Sequence, residues 1–179
     1  MEHVFKVFYM NGKEFIKELL KKLFEDYENN KFSPILEADI VGYLYHLCIS
    51  KIGDAKNIHL DTRICELADK KFDFVLGEVS NHGYRPCVKP KLVIEVKSFP
   101  IGCSDQQHRV HYYHVIDDDI PKIAKLKEPL NNRYILLFDE DNYLKGFDRK
   151  SKSARIDRII KTRNDTDPKI KVIYVKKGG

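Results

Sequence analysis

The sequence has no apolar run long enough to cross a bilayer, and its start lacks the basic and apolar regions of a secretory signal. It also lacks a CxxC pair, since its four cysteines are scattered: Cys48, Cys65, Cys87 and Cys103. We therefore expect a cytoplasmic protein with free thiols rather than disulfides or a zinc knuckle. No repeat, low-complexity tract or linker divides the chain, which predicts a single domain over residues 1–179.

Acidic side chains are scarce in the last fifth of the chain. Residues 145–179 hold 12 basic and 4 acidic side chains, whereas residues 1–144 hold 20 basic and 23 acidic ones. This asymmetry is typical of a surface that contacts a polyanion, and a solvated charged face is the alternative. The candidate nucleic-acid contacts in this segment are Arg149, Lys150, Lys152, Arg155 and Arg158.

The periodicity of apolar residues predicts the order of helices and strands. The predicted elements are a helix over 11–29 with Asn11 as its N-cap, a helix opening at Ser33-Pro34, and strands near 57–65, 72–79 and 92–97, the last two joined by a loop over 80–86. They continue with a helical region over 105–127, a strand over 134–138, a helix over 151–163 and a strand over 169–175. In the region over 105–127, the spacing places inward Val110, His114, Ile120, Ile123 and Leu126. The order of these elements predicts an α/β (mixed α+β) fold, with a central, mostly four- to five-stranded mixed sheet flanked by helices.

Two predicted strands carry charged side chains among apolar ones, namely Asp73, Glu95 and Lys97. Because strand side chains alternate, two sets lie on opposite faces: Val93, Glu95 and Lys97 on one, and Leu92, Ile94 and Val96 on the other. A carboxylate and an ammonium on one face of a buried strand are costly unless they are paired or hold a metal. The alternative is an edge strand on which both charges are solvated.

A third carboxylate, Glu37, lies three, four and seven residues before Ile40, Val41 and Leu44 of the second predicted helix. This spacing turns Glu37 toward the core, where the helix N-terminus also stabilises an anion. Three carboxylates suit a hard divalent cation, and a lysine two residues beyond a ligand is placed to activate a water or stabilise charge on a phosphate. The pattern therefore predicts a site for phosphodiester hydrolysis.

These residues resemble the signature of the PD-(D/E)xK nuclease superfamily, the restriction-endonuclease-like fold. Asp73 matches the aspartate of the signature, with Phe72 in place of its proline, and Glu95-Val96-Lys97 matches the (D/E)-x-K element. Glu37 matches the helical glutamate that often completes the family's site. The resemblance covers roughly residues 33–140 as an αβββαβ core, with the helix over 11–29 and the basic segment over 145–179 as additions.

The resemblance implies a Mg²⁺- or Mn²⁺-dependent endo- or exodeoxyribonuclease that hydrolyses DNA, with a homodimer as a family-level expectation. Asp73, Glu95 and the Val96 backbone carbonyl would bind the metal, and Lys97 would lie next to the attacking water. Glu37 would bind a second metal or orient a water. One alternative is a non-catalytic nucleic-acid-binding or assembly protein that retains the fold. Another is an unrelated metal-dependent phosphoesterase or a small binding module.

Three histidines, His108, His111 and His114, recur at every third position and precede the acidic residues 117–119. Neighbouring pairs share a helix face, so a transition-metal site is one interpretation, and surface or substrate-facing polar residues are the other. The acidic triplet is predicted to cap the next helix, near Pro121.

Overall fold

The fold is built on a five-stranded sheet. The computed structural model describes residues 2–127 and 132–176, with side chains from residue 14 onward except at 68 and 82. The strands are β1 (Ile58–Ile64), β2 (Leu67–His82), β3 (Arg85–Phe99), β4 (Arg133–Asp139), β5 (Phe147–Asp148), β6 (Ser153–Ala154) and β7 (Lys171–Val175). The main sheet has the order β1-β2-β3-β4-β7, and β5 and β6 form a separate hairpin.

Helices cover both faces of this sheet. They are α1 (Glu2–Glu28), α2 (Glu37–Ile52), α3 (Asp105–His114), a π-helical turn (Val115–Asp119), α4 (Ile120–Ala124), a 3₁₀ turn (Tyr143–Lys145) and α5 (Arg155–Thr166). Among the described residues, no helix is both long and apolar enough to cross a membrane.

The sheet is mixed, which confirms the predicted fold class. β1, β2 and β3 are antiparallel neighbours, while β3, β4 and β7 run parallel. β2 and β3 are longer than predicted, because their pairing continues from Ser80↔Cys87 to His82↔Arg85. The predicted loop over 80–86 therefore shrinks to a turn at Gly83-Tyr84, where Gly83 has a φ of +62° that glycine adopts without strain.

Two hydrophobic cores lie on opposite faces of the sheet. Leu92, Ile94 and Val96 of β3 pack with α1 and α2, whereas Val93 packs with the helices from α3 to α5. The alternation predicted for β3 is therefore confirmed. It places Glu95 and Lys97 on the face covered by the π-helical turn and α4.

Both N-terminal helices begin at positions other than those predicted. α1 begins nine residues before Asn11, so Asn11 is not its N-cap. α2 begins at Glu37 rather than at Ser33-Pro34, because the Asp39 carboxylate accepts the Ile35 and Leu36 amides at 2.8 Å each. These bonds lower the pKa of Asp39 and put Glu37 in the first turn of the helix.

The prediction of free thiols is wrong for two of the four cysteines. Cys65 and Cys87 form a disulfide, and Cys48 and Cys103 are free. The bond follows from strand pairing, because Ile64 of β1 lies beside Val88 of β3 and brings the two neighbouring cysteines together. Spacing along the sequence does not reveal this pairing.

Candidate active site

The candidate active site lies where β2 diverges from β3. Pairing of these strands ends at Phe74↔Ile94, and beyond it two carboxylates accept amides of β3. Asp73 Oδ2 accepts the Val96 amide at 2.8 Å, and Glu37 Oε1 accepts the Ser98 amide at 3.3 Å. Both acidic side chains are thus held against the carboxyl end of β3, the end of a parallel sheet at which ligands commonly bind.

Lys97 lies among these carboxylates. Its Nζ is 3.2 Å from Glu37 Oε2, 3.1 Å from the Val96 carbonyl and 3.7 Å from Asp119 Oδ2. Burial acts to lower the pKa of Lys97, but the negative charges of Asp119, Glu37, Asp73 and Glu95 together raise it above its ordinary value. The surrounding carboxylates therefore favour the charged, ammonium form of Lys97.

Glu95 is the most deeply buried charge of the site, with 1% of its surface exposed. Its strand is central, between β2 and β4, so the alternative of a solvated edge strand is wrong. Burial and the nearby Asp73 charge raise the pKa of Glu95, while Lys122, at 2.8 Å from Oε2, acts against them. Glu95 Oε1 has no hydrogen-bond partner among the described residues.

The sequence pattern does not single out two further members of the site, Asp119 and Lys122. Asp119 is 4% exposed and makes no capping hydrogen bond, so its predicted role as a helix cap is wrong. Its carboxylate lies 3.5 Å from Lys122 Nζ, and burial raises its pKa. The π-helical turn that ends at Asp119 has one residue more than a regular helical turn. This extra residue rotates the side chains that follow, so Asp119 points inward.

The same change of phase explains two errors in the predicted helical region over 105–127. Val110 and His114 are exposed, although their spacing predicts an inward position, and Tyr112 and Val115 are buried instead. Ile120, Ile123 and Leu126, which follow the π-helical turn, are buried as predicted.

The three histidines do not form a metal site. His108 is buried and contacts the Pro100 carbonyl at 3.0 Å, while His114 is exposed beside Asp118. His111 belongs to the candidate active site, with Nδ1 3.0 Å from the Ser98 carbonyl and 3.5 Å from Glu37 Oε1.

The donor atoms of the site suit a hard divalent cation. Asp73, Glu95 and the Val96 carbonyl offer oxygen ligands, and a cation would satisfy the unpartnered Glu95 Oε1. Within the described residues, however, no three His, Cys, Asp or Glu side chains are grouped so that they could hold a metal ion. Lys97 and Lys122 lie between the carboxylates and offset part of their negative charge.

The predicted nucleic-acid contacts divide into two groups. Arg149, Lys150 and Lys152 are exposed. Arg155 and Arg158 are partly buried by contacts within the chain: Arg155 donates to the Tyr143 carbonyl at 2.8 Å, and Arg158 donates to Asp148 at 2.7 Å. Any contact of the last two with a ligand therefore competes with these bonds.

Comparison of the chain with protein-family models, curated proteins and solved structures finds no match. The resemblance to PD-(D/E)xK nucleases therefore rests on the site residues and on the order of the elements around them.

Proposed function

We propose that the protein is a magnesium-dependent deoxyribonuclease that hydrolyses phosphodiester bonds at the carboxyl end of β3. The observation that carries the proposal is the convergence of Glu37, Asp73 and Glu95 around Lys97. These residues come from helix α2 and the neighbouring strands β2 and β3, at positions 37, 73 and 95. Bringing a buried glutamate into a cluster of carboxylates costs free energy, which favours a functional reason for the arrangement.

Asp73, Glu95 and the Val96 carbonyl are the ligands in this proposal. A bound Mg²⁺ or Mn²⁺ supplies a Lewis acid that lowers the pKa of water and neutralises charge on the phosphate. Lys97 donates hydrogen bonds from its ammonium to a phosphate oxygen and stabilises the negative charge that develops there, because its raised pKa favours the charged form. Glu37 orients Lys97 through the contact at 3.2 Å.

The exposed cations Arg149, Lys150 and Lys152 supply sequence-independent contacts to the DNA backbone. Truncation after Lys150 removes Lys152, Arg155 and Arg158 together with α5, so point substitutions are the cleaner test. In a triple Gln variant of the three exposed residues we expect a less steep dependence of duplex binding on salt. The log–log slope should fall by roughly 0.9 for each phosphate that the variant no longer neutralises. An unchanged slope would refute this role.

The catalytic proposal is tested by cleavage of plasmid, linear and branched DNA with Mg²⁺ or Mn²⁺. We expect Asp73→Asn and Lys97→Met to lower the cleavage rate by about 100-fold or more. Lys125→Gln, which changes an exposed lysine, serves as the matched control. Circular dichroism and thermal unfolding verify that the variants fold. Retention of full activity by folded Asp73→Asn would refute the assignment.

A second candidate function is a non-catalytic nucleic-acid-binding or assembly protein that retains the fold. The observation in its favour is the Lys122–Glu95 ion pair, which neutralises a proposed metal ligand from within the chain. This candidate predicts DNA binding without cleavage of any substrate, and no binding of Mn²⁺ by calorimetry.

Location and assembly belong to the same proposal. We propose a cytoplasmic protein that acts on DNA as a homodimer, since nucleases that cut both strands of a duplex with one site per chain commonly act as dimers. The Cys65–Cys87 disulfide is an opposing observation, because such bonds are rare in a reducing cytoplasm. Sedimentation with and without duplex DNA tests the dimer.

A further inference from the structure

A second concave site lies beside the basic C-terminal segment. It is a cavity of about 660 Å³ between α3, the 3₁₀ turn and the β5–β6 hairpin, within the range of roughly 300–1,000 Å³ typical of small-ligand pockets. Its lining residues are Asp105, Arg109, Tyr112, Tyr113, Tyr143, Phe147, Asp148, Arg149, Lys150 and Arg155. None of the proposed catalytic residues lines this cavity.

The polar lining of the cavity favours an anion. Four lining residues are basic and two are acidic. One of the two acids, Asp148, is already neutralised, because its carboxylate accepts Tyr112 Oη at 2.6 Å and Arg158 Nη1 at 2.7 Å. Arg109 and Arg149 are exposed, so their guanidinium groups are available to a ligand phosphate.

The cavity also presents aromatic rings. Phe147 lies at the edge of the cavity with 61% of its surface exposed, so one ring face is accessible to a ligand. Inside the cavity, the Arg155 guanidinium stacks 3.9 Å above the Tyr143 ring, and Lys150 lies 5.1 Å from the centre of the Tyr113 ring. Rings and cations that alternate in this way are the chemistry with which proteins bind unpaired bases and their phosphates.

We propose that this cavity binds an unpaired nucleotide of single-stranded nucleic acid, with its base stacked on Phe147 and its phosphates held by Arg109 and Arg149. The inference rests on the proposed function for the choice of nucleic acid as the ligand. An unpaired nucleotide is required because a paired base is stacked within the duplex and does not expose its faces to a ring. Helix α3 joins the two sites, since it carries both Arg109 and His111, which contacts Glu37.

The test measures binding of the full chain in EDTA, so that no cleavage interferes. The probes are a fluorescein-labelled dT₁₂ strand and a blunt 12-base-pair duplex. We expect Phe147→Leu to weaken dT₁₂ binding by roughly fivefold or more without changing its salt dependence, because the variant removes the ring and keeps every charge. We expect Arg109→Gln/Arg149→Gln to lower the log–log salt slope by about 1.4.

Lys17→Gln/Lys161→Gln is the matched control, since it removes two exposed cations that do not line the cavity. The inference would be overturned if the dT₁₂ affinity of Phe147→Leu stayed within twofold of that of the unaltered protein. It would also be overturned if Phe147→Leu lost duplex affinity by the same factor as dT₁₂ affinity. The outcomes separate the two proposals. If the cavity variants lose dT₁₂ binding but the unaltered protein cleaves no DNA, the cavity proposal is supported and the nuclease proposal is refuted. If the unaltered protein cleaves DNA but the cavity variants bind dT₁₂ normally, the nuclease proposal is supported and the cavity proposal is refuted.

Discussion

The Lys122 ammonium lies 2.8 Å from Glu95 Oε2, at a position where a buried carboxylate needs a positive charge. The same ammonium is 3.5 Å from Asp119 Oδ1, so it links the central strand to the helical region that covers it. A divalent cation bound by Asp73 and Glu95 would supply the same positive charge. Lys122 would therefore compete with such a cation for Glu95.

Lys122→Gln tests this competition. We expect the variant to bind Mn²⁺ about 10-fold more tightly in isothermal titration, because the ammonium no longer repels the metal. We also expect its free energy of unfolding in EDTA to fall by about 3 kcal/mol, since a buried carboxylate loses its partner. Lys125→Gln should change neither quantity, and an unchanged Mn²⁺ affinity in Lys122→Gln would contradict the competition.

Asp119 is predicted to position Lys97 rather than to bind the metal. Its carboxylate lies 3.7 Å from Lys97 Nζ and contributes to the raised pKa of that lysine. We expect Asp119→Asn to lower the cleavage rate by about 10-fold while the Mn²⁺ affinity changes by less than twofold. A loss of Mn²⁺ affinity as large as that of Asp73→Asn would instead identify Asp119 as a ligand.

The disulfide is predicted to contribute strongly to stability. Cys65 and Cys87 are separated by 22 residues, and closing a loop of that length constrains the unfolded chain by about 3 kcal/mol. We expect dithiothreitol to lower the free energy of urea unfolding by this amount, and Cys65→Ser/Cys87→Ser to reproduce the loss. Thiol titration of the denatured protein should yield two thiols before reduction and four after it. Four thiols before reduction would show that the bond is absent.

Local patterns predict the fold class and the positions of the strongest site residues. Alternation along β3 places Glu95 and Lys97 on one face, and helical spacing places Glu37 inward, because both depend only on neighbours in the sequence. Asp119 and Lys122 cannot be found in this way, since a π-helical turn shifts the phase of the helix that carries them.

The remaining errors also have structural causes. The disulfide depends on pairing between β1 and β3, which are not consecutive, and the start of α2 depends on a carboxylate inside its first turn. β2 and β3 exceed their predicted lengths because polar residues such as Ser80 and Asn81 continue the ladder. In a paired ribbon, backbone hydrogen bonds do not require apolar side chains.

Asp148 is predicted to make the stability of the protein depend on pH below about 4. Burial acts to raise its pKa, but hydrogen bonds from Arg158, Tyr112 and the Lys150 amide lower it well below its ordinary value. A carboxyl group with a lowered pKa stabilises the folded state fully above the pKa of the unfolded chain, about 3.9, and loses this contribution as the pH falls toward the folded pKa.

We therefore expect Asp148→Asn to lower the free energy of unfolding by about 3 kcal/mol at pH 7, as for a broken buried ion pair. The difference from the unaltered protein should shrink by about 1.4 kcal/mol for each pH unit below 3.9. Urea unfolding at pH 7, 4 and 3 measures this, with the exposed Asp165→Asn as the control. A difference that stays constant from pH 7 to pH 3 would show that the charge of Asp148 does not stabilise the fold.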